Sequence, residues 1–331
     1  MKYRFIGGMQ VSQFALGTWH LPPSRQKDEQ GIFYVDEDKS NRIFKKALDL
    51  GINFFDTANT YHGTISETHL HPDHSGNAER ILGKFINGYE RESLVIATKV
   101  RAEVASFPNG GGLSRKHISW QIRQSLSRLQ LDYVDLYQIH WQDPNTKAAE
   151  TMDILNDIVH NGLVHYLGVS NHPPEATSEM LDIALKNGWE TFVSMQEPYN
   201  ILERELEGSN LRLARENKLA ILAYVPLAEG ILTGKYLKGV PNDSRAGYTE
   251  GFEKKIESST NHVRILSELA KDMQVTTSQL SLAWLLRRQE EFGVSIIPIL
   301  GATDEKHLES NLEALDIRIP DDVYRQINQM I

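Results

Sequence analysis

The chain has no cysteine among its 331 residues, which excludes disulfides, thiolate nucleophiles and thiolate metal sites. No apolar run is long enough to span a bilayer. The opening Met1-Lys-Tyr-Arg-Phe-Ile-Gly-Gly8 also lacks the hydrophobic segment of a signal peptide. An excess of basic residues is missing too: 44 acidic against 35 basic side chains give a formal charge of −9, which argues against nonspecific nucleic-acid binding and anionic membrane surfaces. These absences predict a cytoplasmic protein with neither a nucleic-acid nor a membrane partner. The 40% hydrophobic and 24% charged composition is that of a soluble globular protein. No Gly-x-Gly-x-x-Gly follows an early strand, which argues against a doubly wound dinucleotide fold. Gly110-Gly-Gly112 precedes a helix but follows a long polar loop.

Strand-length apolar runs alternate with helical patterns along the chain, the signature of parallel βαβ units. The strand candidates are Phe14 to Trp19, Asn53 to Thr57, Leu94 to Lys99, Tyr133 to His140, His165 to Ser170, Phe192 to Gln196, Ala220 to Tyr224 and Val294 to Pro298. A short hairpin is expected near Gly7-Gly8. Helices are predicted at Ser40–Leu50, from near Ser75, from Ser114 behind a serine cap, and at Lys147–His160 and Pro174–Lys186. Further ones are predicted at Glu203–Glu216, Asn261–Met273, Thr277–Arg288, Lys306–Leu315 and Asp321–Met330. Strands each followed by a helix, over this length, predict one (β/α)₈ TIM barrel spanning residues 1–331. Pro22–Asp38, His62–Ser75 and Pro226–Thr260 read as long irregular loops at the C-terminal ends of the strands, where active-site loops of such barrels lie. Trp120 and Trp284 fall within helical apolar patterns and read as core.

Three of those strands end in chemistry. Asp56 closes the second, with Tyr61 on the loop beyond; Lys99 closes the third and His140 the fourth. A phenol is a poor acid at neutral pH, and a neighbouring ammonium lowers its pKa while a carboxylate holds the ammonium in place. An imidazole beside them can orient a carbonyl oxygen. Such a group protonates an oxygen while a cofactor hydride attacks the carbon.

At this level of detail the chain resembles the aldo-keto reductase superfamily over nearly its whole length. The motifs are Phe14-Ala-Leu-Gly-Thr-Trp19, Gly51-Ile-Asn-Phe-Phe-Asp56-Thr-Ala with Tyr61, Ala97-Thr-Lys99, Gln138-Ile-His140-Trp141, Gly168-Val-Ser-Asn171, Tyr199-Asn-Ile-Leu-Glu-Arg204 and Ala223 to Lys235. The resemblance implies the catalytic quartet Asp56, Tyr61, Lys99 and His140, with Tyr61 as general acid. It also implies a nicotinamide cofactor across the barrel mouth, near Gly17, Thr18, Trp19 and Asp56. Ser170, Asn171 and Gln196 would hold the carboxamide, with Tyr224 stacked on the ring. Val225, Pro226, Leu227, Ala228, Gly230, Leu232, Gly234 and Lys235 would follow the pyrophosphate. Arg245 would approach the adenosine phosphate, and Gly301, Thr303, His307, Ser310 and Asn311 would form the adenosine site. Trp19 and Trp141, with Tyr61 and His140, would line the substrate pocket.

Family members often carry serine at Thr303, glutamine or arginine at His307 and glutamate at Ser310. This chain keeps hydroxyls and Arg245 but has His307 in place of the usual strong partner there, so NADP is expected with NAD as the alternative. The function implied is NADP-dependent reduction of aldehyde, ketone or sugar carbonyls. The strand-six-to-eight region resembles the branch that includes potassium-channel β subunits, so a cofactor-binding sensor with little turnover is the rival reading. A sugar dehydrogenase running oxidatively is a variant of the first. His62, His69, His71 and His74, with Glu67 and Asp73, lack the spacing of a structural zinc site and read as a polar lid rather than a metal site.

Overall fold

The computed structural model describes residues 1–64, 74–241 and 251–330. A first hairpin, β1 (Tyr3–Ile6) and β2 (Met9–Ser12), turns through Gly7 at φ 56°. Next come β3 (Ala15–Gly17), a second antiparallel hairpin of β4 (Pro23–Lys27) and β5 (Phe33–Val35), α1 (Glu37–Asp49), β6 (Phe54–Asp56) and α2 (Asn77–Ile86). The middle of the chain supplies β7 (Val95–Val100), α3 (Arg115–Leu129), β8 (Val134–Ile139), α4 (Ala148–His160), β9 (Val164–Ser170) and α5 (Pro174–Asn187). It continues with β10 (Phe192–Pro198), α6 (Ser209–Asn217), β11 (Ala220–Tyr224), α7 (Phe252–Asp272), α8 (Thr277–Phe292), β12 (Ile296–Gly301), α9 (Glu305–Leu312) and α10 (Asp321–Gln329).

Strands β3 and β6 to β12 close into an eight-stranded parallel barrel, the TIM barrel read from the sequence. Local chemistry fixes the helix starts. Asp36 caps α1 by accepting the Lys39 N–H, Ser114 caps α3 through the His117 N–H, and Thr276 and Gln279 form a capping box on α8.

Two apolar layers follow from the alternation along the strands. The outer one joins strands to helices through Phe44, Phe55, Ile96, Ile122, Tyr137, Leu167 and Trp284. The inner one fills the barrel with Ala15, Phe54, Val95, Ala97, Leu136, Leu222 and Ile297, and Ile6 and Val11 of the first hairpin close its lower end. Apolar filling at the strand starts leaves the polar side chains at the strand ends, which positions the site.

Several boundaries differ from the expectation. The stretch read as irregular from Pro22 contains β4 and β5. β4 is mostly exposed and polar and β5 is only three residues, Phe33–Val35, so neither marks itself as a strand by a long alternating pattern. Their turn is made by Asp28, whose side chain accepts the Gln30 and Ile32 N–H groups. The helix expected at Glu203 begins at Ser209, because Asn200 Oδ1 takes the Leu202 and Glu203 N–H groups and holds a turn there instead. The loop expected to reach Thr260 ends sooner: α7 starts at Phe252, whose ring packs on Tyr236. Trp284 is fully buried, whereas Trp120 is half-buried against Phe107 and His117. No helix among the described residues is long and apolar enough to cross a membrane.

Candidate active site

Asp56, at the end of β6, is level with Ala97 of β7, and Lys99 lies two residues further along that strand, on the same face. Lys99 is 0% exposed, and its ammonium donates to Asp56 Oδ2 at 2.6 Å, to the Thr57 carbonyl at 3.0 Å and to Tyr61 Oη at 3.0 Å. The other Asp56 oxygen, Oδ1, accepts from Gln196 Nε2 at 2.8 Å and Gln138 Nε2 at 3.2 Å. The carboxylate is thus held from both sides.

Gly168 makes room for this arrangement. A Cβ there would lie 2.7 Å from Ser194 Oγ and 2.9 Å from Gln138 Cγ, displacing the side chain that reaches Asp56. Gln138 stands in the histidine motif Gln138-Ile-His140-Trp141, but the motif does not show its bond to Asp56. Strand alternation back from His140 places it on the same inward face, which is the one signal available.

The expectation that the ammonium would lower the Tyr61 pKa holds only as one of two opposing effects. Burial pushes the hydroxyl up, Lys99 pulls it down, and the outcome is raised. Burial works against the Lys99 charge as well, but Asp56 and the phenol oxygen outweigh it and hold that pKa above its ordinary value. Burial, then the Lys99 and Arg101 charges, hold His140 well below the usual imidazole range, so the ring is neutral at pH 7; its Nδ1 is buried and finds no hydrogen-bond partner among the described residues.

The rings form a continuous wall. Trp19 stands edge-on to Tyr61 with centroids 4.7 Å apart, Tyr61 to His140 at 5.7 Å, and Trp141 lies 4.4 Å from His140. Backbone contacts add Gly17, paired with Asp56, and Thr18, whose N–H and hydroxyl both donate to the Asp56 carbonyl.

The residues expected to meet a cofactor fall in three groups. Ser170 Oγ donates to the Gln196 carbonyl, and Asn171 Nδ2 donates to the His140 carbonyl and to Ser170 Oγ. The Tyr224 hydroxyl donates to Asn171 Oδ1 at 2.6 Å, which fixes a half-buried ring at the mouth. From Val225 the chain winds through Pro226, Leu227 and Ala228 into a 3-10 turn, Ala228–Thr233, with Gly230, Leu232, Gly234 and Lys235 following one another closely. A Cβ at Gly230 would stand 3.1 Å from Lys235 Nζ, and that amine forms no ion pair among the described residues. Gly301, the last residue of β12, and Thr303 and His307 beyond it are exposed. Asn311 is buried, and Ser310 accepts from Gln279 Nε2 through its hydroxyl and carbonyl. Arg245 lies outside the described residues, as do His69 and His71. His74 Nε2 is 2.7 Å from Asp28 Oδ2, and no group of three metal-ligating side chains occurs among the described residues.

An anchored aromatic ring, a glycine gap under an amine with no carboxylate on it, and an open shelf after the last strand together suit an extended dinucleotide: one flat ring, a central anion and a distal nucleoside.

Comparison with known proteins agrees in kind. The sequence profile of the Aldo/keto reductase family matches residues 13–331. An L-glyceraldehyde 3-phosphate reductase of Escherichia coli is 34% identical over 96% of this chain and 88% of its own. A putative voltage-gated potassium channel subunit beta of Schizosaccharomyces pombe is 33% identical over 100% of this chain and 93% of its own. Among solved structures, a thermostable aldo-keto reductase crystallised with the inhibitor epalrestat covers 100% of both chains with a TM-score of 0.75 and 27% identity.

Proposed function

The chain belongs to the aldo/keto reductase family, and we propose that it reduces the carbonyl of an aldehyde, ketone or open-chain sugar with NADP(H), Tyr61 delivering the proton. The observation that carries this reading is the buried ammonium of Lys99 placed between Asp56 Oδ2 at 2.6 Å and Tyr61 Oη at 3.0 Å. A nicotinamide held there would supply a hydride to the carbonyl carbon. The Tyr61 hydroxyl donates its proton to the carbonyl oxygen, and the Lys99 ammonium stabilises the phenolate left behind. Asp56, fixed by Gln138 and Gln196, keeps that ammonium aimed at the phenol. His140, held neutral, offers an N–H to the same oxygen without competing as a cation. Trp19 and Trp141 wall the pocket and exclude water. Asn171 and Tyr224 hold each other at the place where the nicotinamide would lie, and Lys235 would meet the pyrophosphate.

The test follows NADPH consumption with an activated aromatic aldehyde in wild type and Tyr61→Phe, with cofactor affinity measured in parallel. The expected result is a loss of about 10²–10⁴ in kcat at unchanged cofactor Kd, the usual contribution of a positioned general acid. Tight cofactor binding with no turnover across a broad carbonyl panel would favour a sensor, the role suggested by the potassium channel β relatives. No cofactor binding would remove both readings.

A further inference from the structure

Arg101 is the first residue beyond β7, two past Lys99, and its backbone sits at φ 137°. Residues with a Cβ rarely adopt that conformation, and where it occurs in a folded chain it tends to mark a functional position. The surroundings hold it there. The Arg101 carbonyl accepts the Gly112 N–H at 2.8 Å, and Arg101 Nε donates to the Gln142 carbonyl at 3.2 Å. The guanidinium lies 5.1 Å from the centre of the Trp141 ring, which itself packs on His140 at 4.4 Å.

Nε and the Trp141 face thus fix the plane of the guanidinium, while neither terminal nitrogen donates to any group among the described residues. The nearby Asp143 feels its charge but makes no hydrogen bond or ion pair with it among the described residues. Asp143 Oδ2 takes the Leu113 N–H and the Thr146 hydroxyl, and Oδ1 takes the Asn145 N–H. A half-buried, oriented guanidinium with free terminal donors is suited to bidentate recognition of a carboxylate or phosphate.

We propose that Arg101 makes this a site for anionic carbonyl substrates, its guanidinium binding a carboxylate or phosphate while the carbonyl lies against Tyr61 and His140. The proposal rests on the reductase reading above. It accounts for the backbone conformation and the stacked ring together. The same charge contributes, after burial and Lys99, to keeping His140 neutral, so an anion bound there would also bear on the imidazole.

The test compares 4-carboxybenzaldehyde, 4-formylphenyl phosphate and the neutral methyl 4-formylbenzoate as substrates of wild type, Arg101→Met and Arg101→Lys. Charge-assisted hydrogen bonds of this kind predict that wild type favours an anion in kcat/KM by about 10- to 100-fold. Arg101→Met should erase that preference through KM. Its kcat, and its kcat/KM for the neutral ester, should stay within about threefold, and Arg101→Lys should recover part of the loss as a point charge without the fork. The anion that loses more in Arg101→Met identifies carboxylate or phosphate as the preferred group. Equal losses on the ester and the anions, or no anion preference in wild type, would overturn the proposal. If wild type turns over none of the three, the reductase reading is what has failed. Quenching of tryptophan fluorescence by 4-carboxybenzaldehyde in the presence of NADP then still decides the matter: binding lost in Arg101→Met supports Arg101, and binding unchanged refutes it.

Discussion

A buried ammonium survives in an apolar barrel only when its neighbours carry the compensating charge and hydrogen bonds. Asp56 and the Thr57 carbonyl supply both for Lys99, and the pair serves to place charge rather than to add stability, since buried ion pairs gain little over apolar replacements. Glu197, at the end of β10, has no such partner. It is 7% exposed, receives the His172 N–H at a long 3.4 Å, and burial outweighs the backbone N–H groups of His172 and Asn171 to raise its pKa from 4.5 to about 7. The folded state therefore holds this proton more tightly than the unfolded chain does. The contribution to stability is complete below pH 4.5 and is lost as pH rises through about 7. Glu197→Gln keeps an acceptor for the His172 N–H and removes the titration. It should leave the melting temperature at pH 5 nearly unchanged and raise it at pH 8. The difference corresponds to roughly 1–3 kcal/mol, because each tenfold change in proton affinity is worth about 1.4 kcal/mol. Parallel melting curves of the two proteins between pH 5 and 8 check this; curves that stay a constant distance apart would show that Glu197 does not titrate in that range.

At the scale of elements, the segment between β11 and α7 is the most strained described part of the molecule. Val225 at φ 48°, Ala228 at 47° and Glu229 at 57° are side-chain-bearing residues in left-handed conformations, each costing about 1–3 kcal/mol. Contacts from two other elements hold them. Asn200 Nδ2, on the loop after β10, donates to the Val225 carbonyl at 3.0 Å and to Glu203 Oε2 at 2.9 Å. Lys255 of α7 then bridges Glu203 at 2.7 Å and Glu229 at 3.1 Å. Lys255→Met should weaken cofactor binding by about 3- to 10-fold while leaving kcat at saturating cofactor unchanged, with less than about 1 kcal/mol lost from stability because the amine is partly solvated. Fluorescence titration with NADPH alongside melting curves separates these outcomes; an unchanged Kd with a lowered melting temperature would make Lys255 purely structural. This ion cluster was not legible in the sequence. Its residues come from separate segments, and in the first turns of α7 Phe252 and Ile256 at helical spacing are set among Lys254, Lys255 and Glu257, which face solvent or charge rather than core. The β4–β5 hairpin was hidden for a related reason: its strands are short and bury almost nothing, so no long hydrophobic alternation marks them. The barrel strands were legible because most of their residues are buried, so they read as short, largely apolar runs.

At the scale of the molecule, the chain divides along the barrel axis. Apolar side chains and the first hairpin fill one end, while Asp56, Lys99, Gln138 and Gln196 gather at the other. The quartet could be read from the sequence because each member ends a strand or follows one closely. The grip of Gln138 and Gln196 on Asp56, and the place of Arg101, could not, because they depend on the closure that brings β6, β7, β8 and β10 together. Cofactor choice depends on the far end of the same mouth, where α9 begins. There Asp304 caps the helix through the Lys306 N–H, so the chain's own carboxylate already occupies a position that a 2′-phosphate would favour. The neighbouring Thr303 and His307 offer a hydroxyl and an imidazole rather than a fixed cation. The NADPH preference implied by the family resemblance should therefore be held to no more than about tenfold, or 1.4 kcal/mol. Because a ligand of the folded state alone stabilises it by about 2.7 kcal/mol at a hundred times its Kd, both cofactors should raise the melting temperature by several degrees. Their shifts at equal concentration should differ by only a few degrees. Asp304→Ser, which keeps a cap but removes the charge, should widen the gap in favour of NADPH, and melting curves of both proteins with each cofactor measure it. A gap that does not widen would mean that Asp304 has no part in the choice.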